Sequence, residues 1–284
     1  STQGVSSAAS DVYKRQLYIK LDCLYSIIPR KEQSKMKAYK IHLIRHAMTE
    51  ENLDGKYIGQ TDVPASEYGL RQIKDIIDEY GGYPEVDAVV SSPLKRCTET
   101  AKLIYPDKEP MILNGLIEYD FGEFEGRTAE EMKDDDAFKT WLSGEHPETP
   151  VPFGESQAAF NERVCSCFAG LIDGIIKAGV ESTAVITHGG VIMSLMTAFA
   201  IPSLPMHEWM APNGTGYTLR IDPSVWSRGQ KLETFSECPA VALSDDQERE
   251  LWDFYPTERD DEYDITEDVY GDSPDEDEDF WKGL

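Results

Sequence analysis

Positive charge is scarce in this chain: 27 Lys and Arg stand against 53 Asp and Glu in 284 residues, a formal net charge of −26. A surface so acidic repels nucleic acid and anionic membrane, and no basic stripe offsets it, so neither is expected as a partner. The imbalance is uneven. Residues 239–284 hold eighteen acidic and three basic residues, residues 1–35 hold three and six, and the span between them is left with −14. An anionic ligand therefore needs a local cluster of cations, because the overall field opposes it.

Long apolar runs are missing as well. The best, residues 191–204, is broken by Ser194, Thr197 and Pro202 and falls short of the roughly 20 residues a bilayer requires. It reads as a buried helix. Cysteine is sparse: Cys23, Cys97, Cys165, Cys167 and Cys238 are an odd number with no framework spacing. Cys165 and Cys167 lie two apart on a predicted helix, so their side chains diverge. With no secretory pattern, reduced thiols and a cytoplasmic location are expected. Cys-x-x-Cys pairs are absent and the five histidines are scattered, so no metal and no cofactor is expected. The sequence assigns no oligomeric state.

Two strings stand out against this background: Ile44-Arg45-His46-Ala47-Met48-Thr49 and Val185-Ile186-Thr187-His188-Gly189-Gly190. Each is an apolar run ending in a basic or hydroxyl residue, then a histidine, then small residues. In an open α/β sheet, chemistry gathers beyond the carboxyl ends of parallel strands. Two strands that each end in histidine bring both imidazoles to one edge, an arrangement for handling an anion.

Strand and helix patterns alternate along the chain from the first string onward. Strands are predicted at 39–44, 86–90, 111–113, 182–186, 217–221 and 232–235. Helices are predicted at 66–80 (capped by Ser66), 157–178 (capped by Ser156, ended by Gly179) and 190–199, with one or two over 128–142. Pro93 is placed in the first turn of a further helix carrying Arg96. The alternation predicts an α/β fold, a mostly parallel central sheet with helices on both faces. Three regions are expected: 1–35 as a non-native or disordered extension, 36–238 as the domain, and 239–284 as an acidic, largely disordered tail. Residues 6–16 resemble a translated sequencing remnant, and Met36 looks like a natural start. The alternative is a genuine helix at 17–28. A short amphipathic helix could occupy 243–254.

Leu43-Ile44-Arg45-His46, with Thr49 and Asn52, resembles the opening signature of the histidine phosphatase superfamily, the phosphoglycerate mutase-like family. The string from Ser91 to Ala101 (SSPLKRCTETA) resembles its second signature, and that from Leu116 to Gly126 (LIEYDFGEFEG) its third. Gly154-Glu155-Ser156 and Thr187-His188-Gly189-Gly190 complete the set in the family's order. One departure is Ala47, where the family usually has glycine; the added methyl group predicts a slightly tighter pocket.

The resemblance implies a histidine acid phosphatase-type phosphohydrolase of the phosphoglycerate mutase-like fold, working without metal. His46 becomes the nucleophile, with Arg45 and Arg96 clamping phosphate. A protonated His188 and the amides at Gly189 would stabilise charge on the phosphoryl oxygens. Glu118, between apolar residues, becomes the proton donor, and Thr49 and Asn52 are candidate phosphate donors. Taken alone, His46 reads as a core histidine and Arg96 as a surface residue pairing with Glu99; the ordered motifs tip both towards chemistry. Asp120, Glu123 and Glu125 read as solvated loop charges, and Lys95 and Arg71 likewise. Tyr57, Phe121, Phe124 and Trp141 fit a leaving-group pocket or plain core equally well. His42, His146 and His207 are read as structural.

The function implied is hydrolysis of a small-molecule phosphate ester through a phosphohistidine intermediate. Two alternatives stay open: a phosphoglycerate mutase, and a non-catalytic phospho-ligand binder docking through the acidic tail. The short span between Glu118 and Lys139 favours hydrolysis over the mutase, which carries longer insertions.

Overall fold

The computed structural model describes residues 39–79 and 81–240. The expectations for residues 1–35, Met36, the helix at 17–28 and nearly all of the acidic tail lie outside the described residues. Among the described residues seven strands form one sheet: β1 (Tyr39–Arg45), β2 (Ala88–Ser91), β3 (Met111–Ile112), β4 (Ser182–Thr187), β5 (Ala200–Ile201), β6 (Gly216–Ile221) and β7 (Leu232–Cys238). Their order is β3-β2-β4-β1-β6-β7-β5. Neighbours pair in parallel except at β6, which is antiparallel to both β1 and β7. The fold is therefore mixed α/β with a mostly parallel sheet.

β1 lies in the middle of the sheet and is buried on both faces over residues 41–44, where only His42 interrupts the apolar residues. Its residues alternate. Ile41 and Leu43 join a core with Val164, Phe168 and Ile172 of the helix Gln157–Ala178 and Val191 and Leu195 of the helix Gly189–Phe199. Ile44 turns to the opposite face, where Ala184 and Ile186 of β4 meet Cys97 and Ala101 of the helix Lys95–Ile104. The helix Glu67–Glu79 packs against that one. Truncating a fully buried side chain such as Leu43 to alanine costs about 2–5 kcal/mol.

The long helix begins and ends where the sequence predicts. The Ser156 hydroxyl accepts from the Ala159 amide at 3.1 Å, and Gly179 stops the helix at φ 72°. Cys165 and Cys167 do diverge, towards Ser194 and Gly115 respectively. Elsewhere the structure departs in detail. Pro93 lies before its helix, which starts at Lys95 after the extended Leu94. The Lys95 amide donates to Asp62 Oδ1 at 2.7 Å, so a carboxylate from another loop caps the first turn. Residues 128–142 make two helices, Ala129–Met132 and Asp136–Ser143, because Thr128 and Asp135 each cap one. The helix Pro223–Gly229 was not anticipated, although Asp222 and Pro223 form a legible start signal. No described helix is long and apolar enough to cross a membrane.

Candidate active site

β1 and β4 are parallel neighbours in a register that sets Arg45 opposite Thr187. The next residue of each strand is a histidine. His46 and His188 thus leave the same sheet edge together, with ring centroids 5.2 Å apart in an edge-to-face arrangement. Both are buried. The His46 amide donates to the Thr187 carbonyl at 2.9 Å, which locks the two exits to each other.

His46 Nδ1 lies 2.7 Å from the Ala47 carbonyl. A carbonyl only accepts, so Nδ1 carries the proton and Nε2 keeps its lone pair. Burial, then Arg96 and Arg45, hold the ring's pKa well below its ordinary value, against the opposing pull of the Ala47 carbonyl. The neutral imidazole a nucleophile requires is therefore the resting form. Ala47 is buried and holds this bond, while its own amide donates to Thr100 Oγ1 at 2.8 Å.

His188 does not have the surroundings of a charged imidazole. Burial first, then Arg96, His46 and Arg45, push it well below its ordinary pKa, so the expected protonated form is not what the protein's own charges favour. Its Nε2 lies 2.7 Å from Ser92 Oγ, and the buried Cys97 thiol is 3.5 Å from the same nitrogen. Burial pushes that thiol up to about 12, so Cys97 acts as a small packing group and not as a nucleophile.

Two guanidinium groups supply the local positive charge. Arg45 donates from Nη1 to the Ala211 carbonyl at 2.9 Å. A side chain at Gly189 would come within 3.3 Å of the Arg45 guanidinium carbon, so glycine lets the helix start approach it closely. Arg96 is buried and donates to the carbonyls of Thr61 at 3.0 Å and Gly59 at 2.6 Å, not to Glu99. Its buried Nε has no hydrogen-bond partner among the described residues. A buried cationic donor without an acceptor is costly unless an anion answers it.

The segment 59–61 is itself held by Glu125, read from sequence as a solvated charge. Glu125 Oε1 accepts from the amides of Gly59 (3.0 Å) and Gln60 (2.8 Å), and Oε2 from Thr61 (3.4 Å). Turning these amides towards Glu125 leaves the Gly59 and Thr61 carbonyls facing Arg96. Glu99 instead accepts from the Ala65 amide at 2.9 Å.

Glu118 is buried at the same edge. Its carboxylate accepts from the Tyr119 amide at 2.9 Å and from the Gly190 amide at 3.0 Å, the latter in the first turn of the helix Gly189–Phe199. Burial raises its pKa; the two amides, Arg96 and Arg45 pull the other way. A carboxyl that keeps its proton longer than usual can donate it.

Thr49 and Asn52 form a capping box. Thr49 Oγ1 accepts from the Asn52 amide and Asn52 Oδ1 from the Thr49 amide, both at 3.2 Å. Their first task is thus to fix the turn after His46. Asn213, not singled out from sequence, donates to the His46 carbonyl at 2.9 Å, and the Gly214 amide donates to the Arg45 carbonyl at 3.0 Å. The Asn-Gly pair is a turn signal that could have marked this bracket. Phe124 is fully buried and belongs to the core. Tyr57, Phe121 and Trp141 are half-buried and meet edge to face, with Phe121 abutting Gly59. His42 bonds Thr218 and Ser182 inside the sheet, whereas His146 and His207 are exposed. Among the described residues no three His, Cys, Asp or Glu are grouped to hold a metal.

A family model described as the histidine phosphatase superfamily (branch 1) matches residues 41–229. The adenosylcobalamin/alpha-ribazole phosphatase of Escherichia coli is 29% identical over 192 residues, covering 66% of this chain and 88% of its own. Phosphoserine phosphatase 1 of Hydrogenobacter thermophilus is 32% identical over 161 residues, 55% of this chain and 74% of its own. Among solved structures, a phosphoserine phosphatase of Entamoeba histolytica in complex with 3-phosphoglyceric acid superposes with a TM-score of 0.57. It is 29% identical and covers 70% of this chain and 96% of that one.

Proposed function

This chain belongs to the histidine phosphatase superfamily, and from that premise we propose that it is a phosphomonoesterase acting on a small-molecule phosphate through a phosphohistidine on His46. The observation that carries the reading is the hydrogen bond of His46: with Nδ1 bonded to the Ala47 carbonyl, Nε2 keeps its lone pair, and the charges of Arg96 and Arg45 act on the ring to keep it neutral. A binding pocket needs the arginines but has no use for that arrangement. The phosphatase names of the relatives support the same class.

In the proposed reaction Arg45 and Arg96 hold the phosphoryl oxygens while Nε2 attacks phosphorus. The bond to the ester oxygen breaks, and Glu118 gives that oxygen its proton. The phosphoryl charge reverses the local sign at His188, where an adjacent anion favours the protonated ring. Water then attacks the phosphohistidine, Glu118 takes the water's proton, and phosphate leaves with His46 neutral and Glu118 protonated again. Small phosphate esters are the proposed substrates; a formal net charge of −26 disfavours nucleic acid and anionic membrane as partners.

A panel of alkyl and aryl phosphates tests this. An alkoxide is a poor leaving group and needs the proton; a nitrophenolate leaves without one. General acid catalysis is worth about 10²–10⁴-fold. Glu118→Gln is therefore expected to slow alkyl esters far more than aryl esters, as long as transfer to His46 limits the rate. Equal small effects would move the proton donor to another carboxylate, and no turnover of any ester by the wild type would remove the phosphatase reading.

A further inference from the structure

Glu118 sits on a stretch of chain that has little regular structure to hold it. Residues 114–116 make one 3-10 turn, and no strand follows before the next turn at 122–124. Its carbonyls therefore lack ladder partners and must find donors elsewhere. They find one side chain above all. Arg163, on the helix Gln157–Ala178, donates from Nη1 to the carbonyls of Gly115 at 3.1 Å and Ile117 at 2.9 Å, and from Nη2 to that of Glu118 at 3.3 Å. Gln60 Nε2 reaches the Glu118 carbonyl at 3.3 Å from the other side.

Arg163 is in turn fixed. Its Nη2 donates to Glu155 Oε1 at 2.6 Å and its Nε to Oε2 at 3.4 Å, and its guanidinium lies 5.3 Å from the centre of the Phe160 ring. Glu155 Oε1 also accepts from the Asp120 amide at 2.9 Å. The Arg163–Glu155 pair thus holds the chain before, at and after Glu118. A planar guanidinium can serve three carbonyls and a carboxylate at once; an ammonium cannot keep that geometry.

We propose that Arg163 is a positioning residue for the proton donor, tying down the main chain of Glu118 so that its carboxyl stays between the Gly190 amide and the reacting oxygen. The proposal rests on the reading of Glu118 as general acid. Misplacement of a reacting group by about 1 Å can cost on the order of 10²-fold, and here the cost falls chiefly on the proton-transfer step, although the charge of Arg163 also lowers the pKa of His188.

The test is kcat/KM of the full chain for one alkyl and one aryl phosphate in wild type, Arg163→Lys, Arg163→Met, Glu155→Gln and Glu118→Gln, with inhibition by inorganic phosphate and thermal midpoint measured on each. The expected result is an alkyl-to-aryl ratio lowered about tenfold or more in Arg163→Met. A smaller drop of the same sign is expected in Arg163→Lys and Glu155→Gln, with phosphate inhibition unchanged. Should Arg163→Met fail to fold, the other two variants decide on the same ratio. A merely structural role would lower both substrates in proportion, leaving the ratio intact, and that overturns the proposal. If Glu118→Gln itself leaves the ratio intact, the reading of Glu118 fails; if it lowers the ratio and the Arg163 variants do not, only this inference fails.

Discussion

At the scale of single residues, the placement of Arg96 depends on a side chain it does not bond. Glu125 gathers three backbone amides and so aims two carbonyls at Arg96. Glu125→Gln would keep one acceptor but set an amide donor against the Thr61 amide. Hydrogen bonds to charged groups contribute about 1.5–3 kcal/mol, so competitive inhibition by inorganic phosphate should weaken about tenfold while the protein stays folded. An unchanged inhibition constant would show that Arg96 holds its place without Glu125. The motifs themselves were legible at this scale: Arg45, His46, Arg96, Glu118 and His188 do meet at one edge. The bonds that orient them were not. A carboxylate at position 125 looks like any loop charge until the fold brings Gly59 to it, and Asn213 lies 167 residues from the histidine whose carbonyl it holds.

At the scale of elements, the site is a meeting of strand ends with one helix start. The Gly190 amide in that helix binds the Glu118 carboxylate, and a side chain at position 190 would come within 2.6 Å of Glu118 Oε1. Gly190→Ala should therefore displace the carboxyl and depress alkyl phosphate turnover, while inhibition by inorganic phosphate changes much less. The clash is with the end of one side chain and not with backbone, so the thermal midpoint should fall little; a full loss of fold would contradict the account of this contact. Long periodic elements such as Gln157–Ala178 were read almost to the residue, because caps and apolar spacing agree. The helix holding Arg96 began two residues later than the proline signal implied, because its cap comes from Asp62, 33 residues away. Short pieces such as β5 and the 3-10 turns carry too few residues to leave a pattern.

At the scale of the whole molecule, burying histidines has a price in acid. His42 lies inside the sheet, and burial, then Lys40, lower its pKa from 6.5 to about 4. The unfolded chain takes up a proton below 6.5 that the folded protein refuses until about 4, so this contribution is complete above 6.5 and is lost between those values. His42 alone contributes up to about 3 kcal/mol, and His46 and His188 act in the same direction. Glu118, with its pKa raised, acts in the opposite sense. The denaturant midpoint should fall as pH drops through this window, and His42→Gln should flatten the fall; a flat wild-type midpoint would contradict the burial of these rings as neutral groups. The parallel sheet with both faces covered was legible from the alternation of strands and helices, and with it the shared edge of the two histidines. The measurement that bears most directly on the central claim is the chemical identity of the intermediate. When turnover of a phosphate ester carrying labelled phosphorus is quenched, acid-labile, base-stable label should be found on His46, and it should vanish together with activity in His46→Ala. Full activity in His46→Ala, or label on any other residue, would contradict the account.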